Sequence, residues 1–166
     1  MTATALAMLD RHDLMPQEDA DNRQYLTFHL ADECYGIDIL KVQEIRGWTR
    51  VTVIPNIPAT LRGVLNLRGA IVPVIDLRVQ FGLARSACDE TTVMIMVWVQ
   101  GKNSGRTIGM VVDSLSDVIQ VQLSEIQPAP DFGAANAAFV SGLINTGTGM
   151  TLLLDVDRLP TEVSVM

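Results

Sequence analysis

The chain has 166 residues, 48% hydrophobic and only 5% aromatic, enough for one domain or two small lobes with a largely aliphatic core. Its formal charge of −7, with no run of Lys and Arg, argues against recognition of a nucleic-acid backbone. The longest apolar runs, such as Val93–Val99, fall far short of the roughly 20 residues a membrane-spanning helix needs.

Residues 1–23 show no strong periodicity and are read as a flexible N-terminal tail, with a single domain over 24–166. No basic segment followed by an apolar core opens the chain, so no signal peptide is expected. From Tyr25, the residues Leu26, Phe28 and Leu30 alternate with Thr27, His29 and Ala31, which predicts a half-buried strand. Asp32-Glu33 then turns the chain into a return strand at Tyr35-Gly36-Ile37. Trp48, after Arg46-Gly47, is expected to be partly exposed.

Further on, Gly63–Leu67 and Ala70–Leu77 form a hairpin across Arg68-Gly69, and Pro73 predicts that its second strand is an edge or is bulged. Leu77–Leu83 reads as a short helix. Val93–Val99 and Ile108–Val112 pair around a polar tip, with Trp98 expected in the core. A turn near Leu123–Ile126 precedes a last hairpin, Phe139–Asn145 with Met150–Val156, and a final turn at Val156–Leu159. The chain is mostly β. Cys34 and Cys88 stand in no CxxC or CxxH spacing, and two reduced thiols in a cytoplasmic protein are expected.

The chain also aligns on itself. Gly36-Ile37-x-Ile39-x-x-Val42-x-Glu44-Ile45 matches Gly109-Met110-x-Val112-x-x-Leu115-x-Asp117-Val118 at a shift of 73 positions. Gly63-Val64-Leu65-Asn66 matches Gly142-Leu143-Ile144-Asn145, and Asp76-Leu77 matches Asp155-Val156, both at a shift of 79. The six extra residues fall in the loop Pro128–Ala138, where insertion is tolerated. Each half then holds about five short strands, suited to a small closed barrel. Neither half is large enough to be securely stable alone, so the two share an apolar seam and leave a groove where they meet.

No catalytic set assembles. His12 and His29 stand apart from any nucleophile motif, and no His, Cys or carboxylate cluster has metal-ligand spacing. Gly101–Gly105 and Gly147-Thr148-Gly149 lack the order of phosphate-binding loops and read as hairpin tips. Asp76 and Asp155, a tempting acid and base, each follow a strand and precede a helical run, so each is read as an N-cap. Catalysis and cofactors are not expected. A small-ligand sensor using the inter-lobe groove remains as an alternative from another class.

Tyr35–Gly47 (YGIDILKVQEIRG) and Gly63–Arg78 (GVLNLRGAIVPVIDLR) resemble the CheW family, as do Gly109–Val118 and Ile126–Pro130. The resemblance runs from about Tyr25 to Leu159. It implies two intertwined five-stranded SH3-like β-barrels with short helices, and a non-catalytic adaptor of bacterial chemotaxis. The implied partners are the regulatory domain of the kinase CheA, the cytoplasmic tip of a chemoreceptor, and other CheW-like domains in rings, in cytoplasmic arrays at the inner membrane. An adaptor of a parallel pathway, for surface motility or biofilm control, would share this fold.

Carried onto this sequence, the resemblance implies receptor-facing positions at Val42, Glu44, Arg62, Gly63 and Arg68, with Val93, Gly109 and Val118 from the second lobe. Phe132 corresponds to an aromatic at the kinase and ring interface. Gln127 departs from the arginine expected at its position, which implies a weaker or differently paired ring contact.

Overall fold

The computed structural model describes residues 21–83, 88–101, 104–129, 139–147 and 149–159. Among them run the strands β1 (Asn22–Leu30), β2 (Glu33–Asp38), β3 (Val42–Gly47), β4 (Leu61–Leu67), β5 (Ala70–Asp76), β6 (Val93–Gln100), β7 (Gly105–Val112), β8 (Ser114–Gln122), β9 (Ile126–Gln127), β10 (Val140–Thr146) and β11 (Gly149–Leu154). The expected helices are single turns: α1 (Leu77–Gln80) and 3₁₀ turns at Leu123–Glu125 and Val156–Arg158. A further 3₁₀ turn, Ile39–Lys41, carried no helical signal because Asp38 caps just three residues.

Two sheets form, in the orders β8-β1-β2-β11-β10-β9 and β3-β6-β7-β5-β4. The second order is the first translated by the repeat, with one exchange. The β6–β7 hairpin of the second half lies between β3 and β5, and the β1–β2 hairpin of the first half lies between β8 and β11. The two barrels therefore trade hairpins, intertwined as the resemblance implied, and neither is built wholly from one half. The register proves the equivalence: Gly36 pairs with Leu153 in a parallel ladder, and Gly109 with Val74 in its counterpart.

Each SH3-like barrel is closed by the same device. After β3 the chain crosses to β4 through a bridge between Thr52 and Val64. After β8 it crosses to β10, with Gln127 of β9 opposite Leu143. In both crossings the partner strand slips register, between Leu61 and Gly63 and between Val140 and Gly142. Closure leaves neither barrel with a long free edge.

Three cores follow from strand alternation. The largest holds Leu26, Phe28 and Ile37 of one sheet against Ile95, Met110 and Val112 of the other, so it fills the seam between the barrels. The opposite faces line the barrel interiors, with Val72, Val74, Met94, Met96 and Val111 in one, and Val121, Ile144 and Leu153 in the other. A run of aromatic contacts, Phe28 to Tyr35 to Phe81 to Phe139 at 5.5–6.1 Å between ring centroids, ties the seam to α1.

Pro73 corrects one expectation, because β5 lies inside its sheet. Opposite it, Val64 spends its backbone N–H and C=O on Thr52, so Pro73 is at a non-hydrogen-bonded position toward β4. On its other side pairing with β7 begins only at Val74, so the missing N–H leaves no ladder bond unmade. Asp76 and Asp155 are N-caps, their carboxylates accepting from the N–H of Arg78 and of Asp157.

Candidate functional site

The register sets five residues in one row around the second barrel: Gly63, Val74, Gly109, Met96 and Glu44. Three of these were candidates by sequence. Glu44 shares a face with Met96, which points its carboxylate to the rim of the barrel interior. There Arg68, in the β4–β5 turn, reaches across to it at 2.9 Å, and Arg46 adds a contact at 3.3 Å. Both central residues of that turn have positive φ, Arg68 at 52° and Gly69 at 88°, the twist that a two-residue hairpin demands. The Asn66 side chain accepts from the Gly69 N–H and fixes the turn. Glu44 is 24% exposed and Arg68 79%, so the pair is open to a partner. As an exposed ion pair it contributes at most about 1 kcal/mol to stability.

The other candidates sit elsewhere. Arg62 is turned inward: its Nε meets Asp76 at 3.0 Å, its Nη2 lies 3.2 Å from the Cys88 sulfur, and its guanidinium stacks 5.2 Å from the centre of Trp48. Val93 is buried, and Gly109 is in the row beside Met96 and Val74. Val42 and Val118 are partly buried along the seam, on β3 and β8. Phe132 lies outside the described residues, and Gln127 is exposed on β9.

Beside Arg62 the β3–β4 connection encloses an open cleft of about 490 Å³, lined by Trp48, Val53, Ile54, Pro55, Ile57 and Pro58 among others. The sequence placed the groove between the lobes; this cleft belongs to the crossover segment of one barrel. Trp48 is partly exposed there, as expected.

Asp76 is a buried hub. Arg78, itself buried, gives it Nε and Nη2 at 2.9 and 3.0 Å, and Arg62 approaches from the other side. Burial alone would raise the Asp76 carboxyl, but the hydrogen bonds and charge of Arg78, joined by Arg62, outweigh it and hold the group below the usual carboxylate range. Arg78 also meets Asp113 at 3.2 Å, and Asp113 accepts from the Ala31 N–H in the β1–β2 turn, so the cluster joins the two halves. The other junction carries a comparable link, offset by one position on the first-half side, with its charges reversed. Asp157, at the position equivalent to Arg78, meets Lys41 at 2.9 Å and accepts from the Gln100 N–H.

Residues 24–164 match the CheW-like domain family. The chain belongs to that family. A "Chemotaxis protein CheW" of Klebsiella aerogenes is 47% identical over 139 residues, covering 82% of this chain and 81% of the relative. One of Rhizobium meliloti is 34% identical over 142 residues, covering 84% and 89%. Among solved structures, the "scaffolding protein TtCheW" of Thermoanaerobacter tengcongensis superposes with a TM-score of 0.74 at 33% identity, covering 80% of this chain and 88% of that one.

In this CheW-like domain, sequence reasoning misjudged one residue of β6. Trp98 was expected in the core, yet it is 41% exposed. It shares the face of Met94 and Met96, but lies past the row where Glu44 and Gly109 cover that face. The available signal was length: β6 outruns the part of β3 that pairs with it. Among the described residues no three His, Cys, Asp or Glu side chains are grouped to hold a metal, and no helix is long and apolar enough to cross a membrane.

Proposed function

We propose that this protein is a non-catalytic chemotaxis adaptor that couples the histidine kinase CheA to chemoreceptors. The observation that carries the reading is the 47% identity, spread over 82% of the chain, to a relative named for chemotaxis. The adaptor works in the cytoplasm, in arrays beneath the membrane that holds the receptors. Simultaneous contact with kinase and receptor raises the effective concentration of each for the other and lets receptor state bias the kinase. Titration calorimetry against a CheA regulatory domain tests this, with saturable one-to-one binding expected. No heat at roughly tens of micromolar, where binding stronger than about −6 kcal/mol would register, overturns it.

The receptor tip is assigned to the Glu44–Arg68 rim, with Val42, Arg62, Gly63, Val93, Gly109 and Val118 supporting it. Of these, Arg62, Gly63, Val93 and Gly109 act through the barrel that presents the rim, since their side chains or backbones are committed inside it. Phe132 is assigned to the contact between adaptor and kinase domains in rings. A charged rim sets partner choice and register more than affinity. Glu44→Arg and Arg68→Glu are each expected to weaken receptor binding about tenfold or more while sparing CheA binding and the melting temperature. The double exchange restores the ion pair but reverses its polarity. Receptor binding recovered by the double exchange would show that the pair acts only within the fold.

A further inference from the structure

The cleft at the β3–β4 crossover has no part in the assignments above. After the single bridge from Thr52 to Val64, the chain runs on to Leu61 with little of its backbone paired. Among the described residues, the N–H groups of Val53, Ile54, Asn56, Ile57 and Ala59 make no hydrogen bond. In the other barrel the matching segment pairs at two positions, Ile126 with Ile144 and Gln127 with Leu143. The cleft is thus walled by open donors. Arg50, which also lines it, is exposed and forms no ion pair among the described residues. Its apolar part includes Trp48, Ile54 and Val53, the last 71% exposed. Open N–H groups, an unspent cation and apolar side chains together fit a peptide that sets carboxylates beside apolar residues.

We propose that this cleft is the docking site of the chain's own N-terminal segment, residues 1–20. The segment carries Asp10, Asp13, Glu18 and Asp19 against Arg11 alone, with Leu6, Leu9 and Leu14 among them. Charge and apolar character therefore both complement the cleft. The segment joins the fold at Asp21, whose C=O accepts from the Leu123 N–H just before β1. The cleft lies toward the far end of that strand, since Arg62 on its wall is linked to Ala31 through Asp76, Arg78 and Asp113. The length of β1 is about 30 Å. Residues 11–20, extended, span about 33–36 Å, which brings residues 1–10 within reach of the cleft. Residues 160–166 hold one acid, Glu162, and about a third of the length of the N-terminal segment, so they fit less well. A tether of this kind holds its free end at an effective concentration on the order of millimolar, so even a weak contact is populated. An acidic peptide from elsewhere then enters only by displacing the tail.

The chain has two tryptophans, so in the full chain with Trp98→Phe the emission of Trp48 reports the cleft alone. Three changes are made in that background: Leu6→Ser with Leu9→Ser, Asp10→Arg with Asp13→Arg, and Arg50→Glu. Each is expected to shift Trp48 emission to the red and to raise its quenching by acrylamide. Combining Arg50→Glu with Asp10→Arg and Asp13→Arg is expected to restore the blue emission, since the charges again complement. A synthetic peptide of residues 1–20, added to the chain with Leu6→Ser and Leu9→Ser, is expected to reverse its shift saturably. Trp48 emission and quenching indifferent to the tail variants overturn the proposal. A shift with Arg50→Glu that the reversed tail does not undo also overturns it, because the arginine then acts on the cleft alone. A shift that grows with protein concentration, with dimers in sedimentation, places the tail in the cleft of a second copy and overturns the contact within one chain.

Discussion

Asp76→Ala is expected to cost about 3–5 kcal/mol of folding stability, a large share of the 5–15 kcal/mol typical of a domain. The side chain is fully buried and accepts from Arg78 and Arg62. Its removal takes from the buried Arg78 guanidinium its closest carboxylate, while Asp113, 3.2 Å away at the barrel junction, stays. The repeat supplies an internal control. Asp155 caps the equivalent turn, but its ion pair with Arg158 is open to solvent, so Asp155→Ala should cost only about 1 kcal/mol, the value of a lost cap. Urea melts of the two variants make the comparison, and equal losses would reduce Asp76 to a cap. The pH dependence has a definite sign. Because the folded pKa of Asp76 is depressed, its contribution is whole above the unfolded value of 3.8 and is lost as pH falls from there through the folded pKa. The acid side of the stability curve should be flatter in Asp76→Ala than in the unmutated protein.

How far the sequence reaches can be seen in Asp76 itself. Its place before a helical run announced a cap, and the cap is there. Its second role was invisible, because Arg62 and Arg78 are separated from it by the geometry of β4 and α1, which no spacing rule encodes. The duplication was legible for the same reason as the cap: Gly, Asn and Asp recur where backbone conformation requires them. What the repeat could not say is which half each hairpin joins. Exchange of β1–β2 for β6–β7 leaves every local pairing and every alternation unchanged, so the choice is made by the seam core rather than by local propensity. The Glu44–Arg68 rim fared similarly. Glu44 and Gly109 came from resemblance, while their alignment in one row with Gly63 is a property of register. Trp98 was misread because alternation gives the face of a residue but not whether a neighbour covers it.

Gly63→Ala is the second substitution expected to have a large effect, and it separates two meanings of a binding residue. Gly63 has φ of +149°, and a Cβ there would lie 2.2 Å from the carbonyl oxygen of Thr52. That carbonyl belongs to the bridge by which the chain closes the barrel, accepting from Val64 at 2.9 Å. An alanine must therefore both take a conformation that L-residues avoid and push the crossover outward, at a combined cost of about 2–5 kcal/mol. Its counterpart in the repeat, Gly142, is crossed less closely, by Gln127 O at 3.0 Å and Ile126 Cγ2 at 2.8 Å, and has no positive φ to lose. Gly142→Ala should thus be the milder lesion. The crossover that Gly63 admits also carries Trp48 and the cleft, and the row that Gly63 begins ends at Glu44. Loss of receptor binding in Gly63→Ala should therefore track loss of folded protein in a thermal melt, and CheA binding should fall with it. A variant that melts like the unmutated protein yet fails to bind receptor would place the receptor against the Gly63 backbone itself, and the rim would have to extend from Glu44 along the whole row.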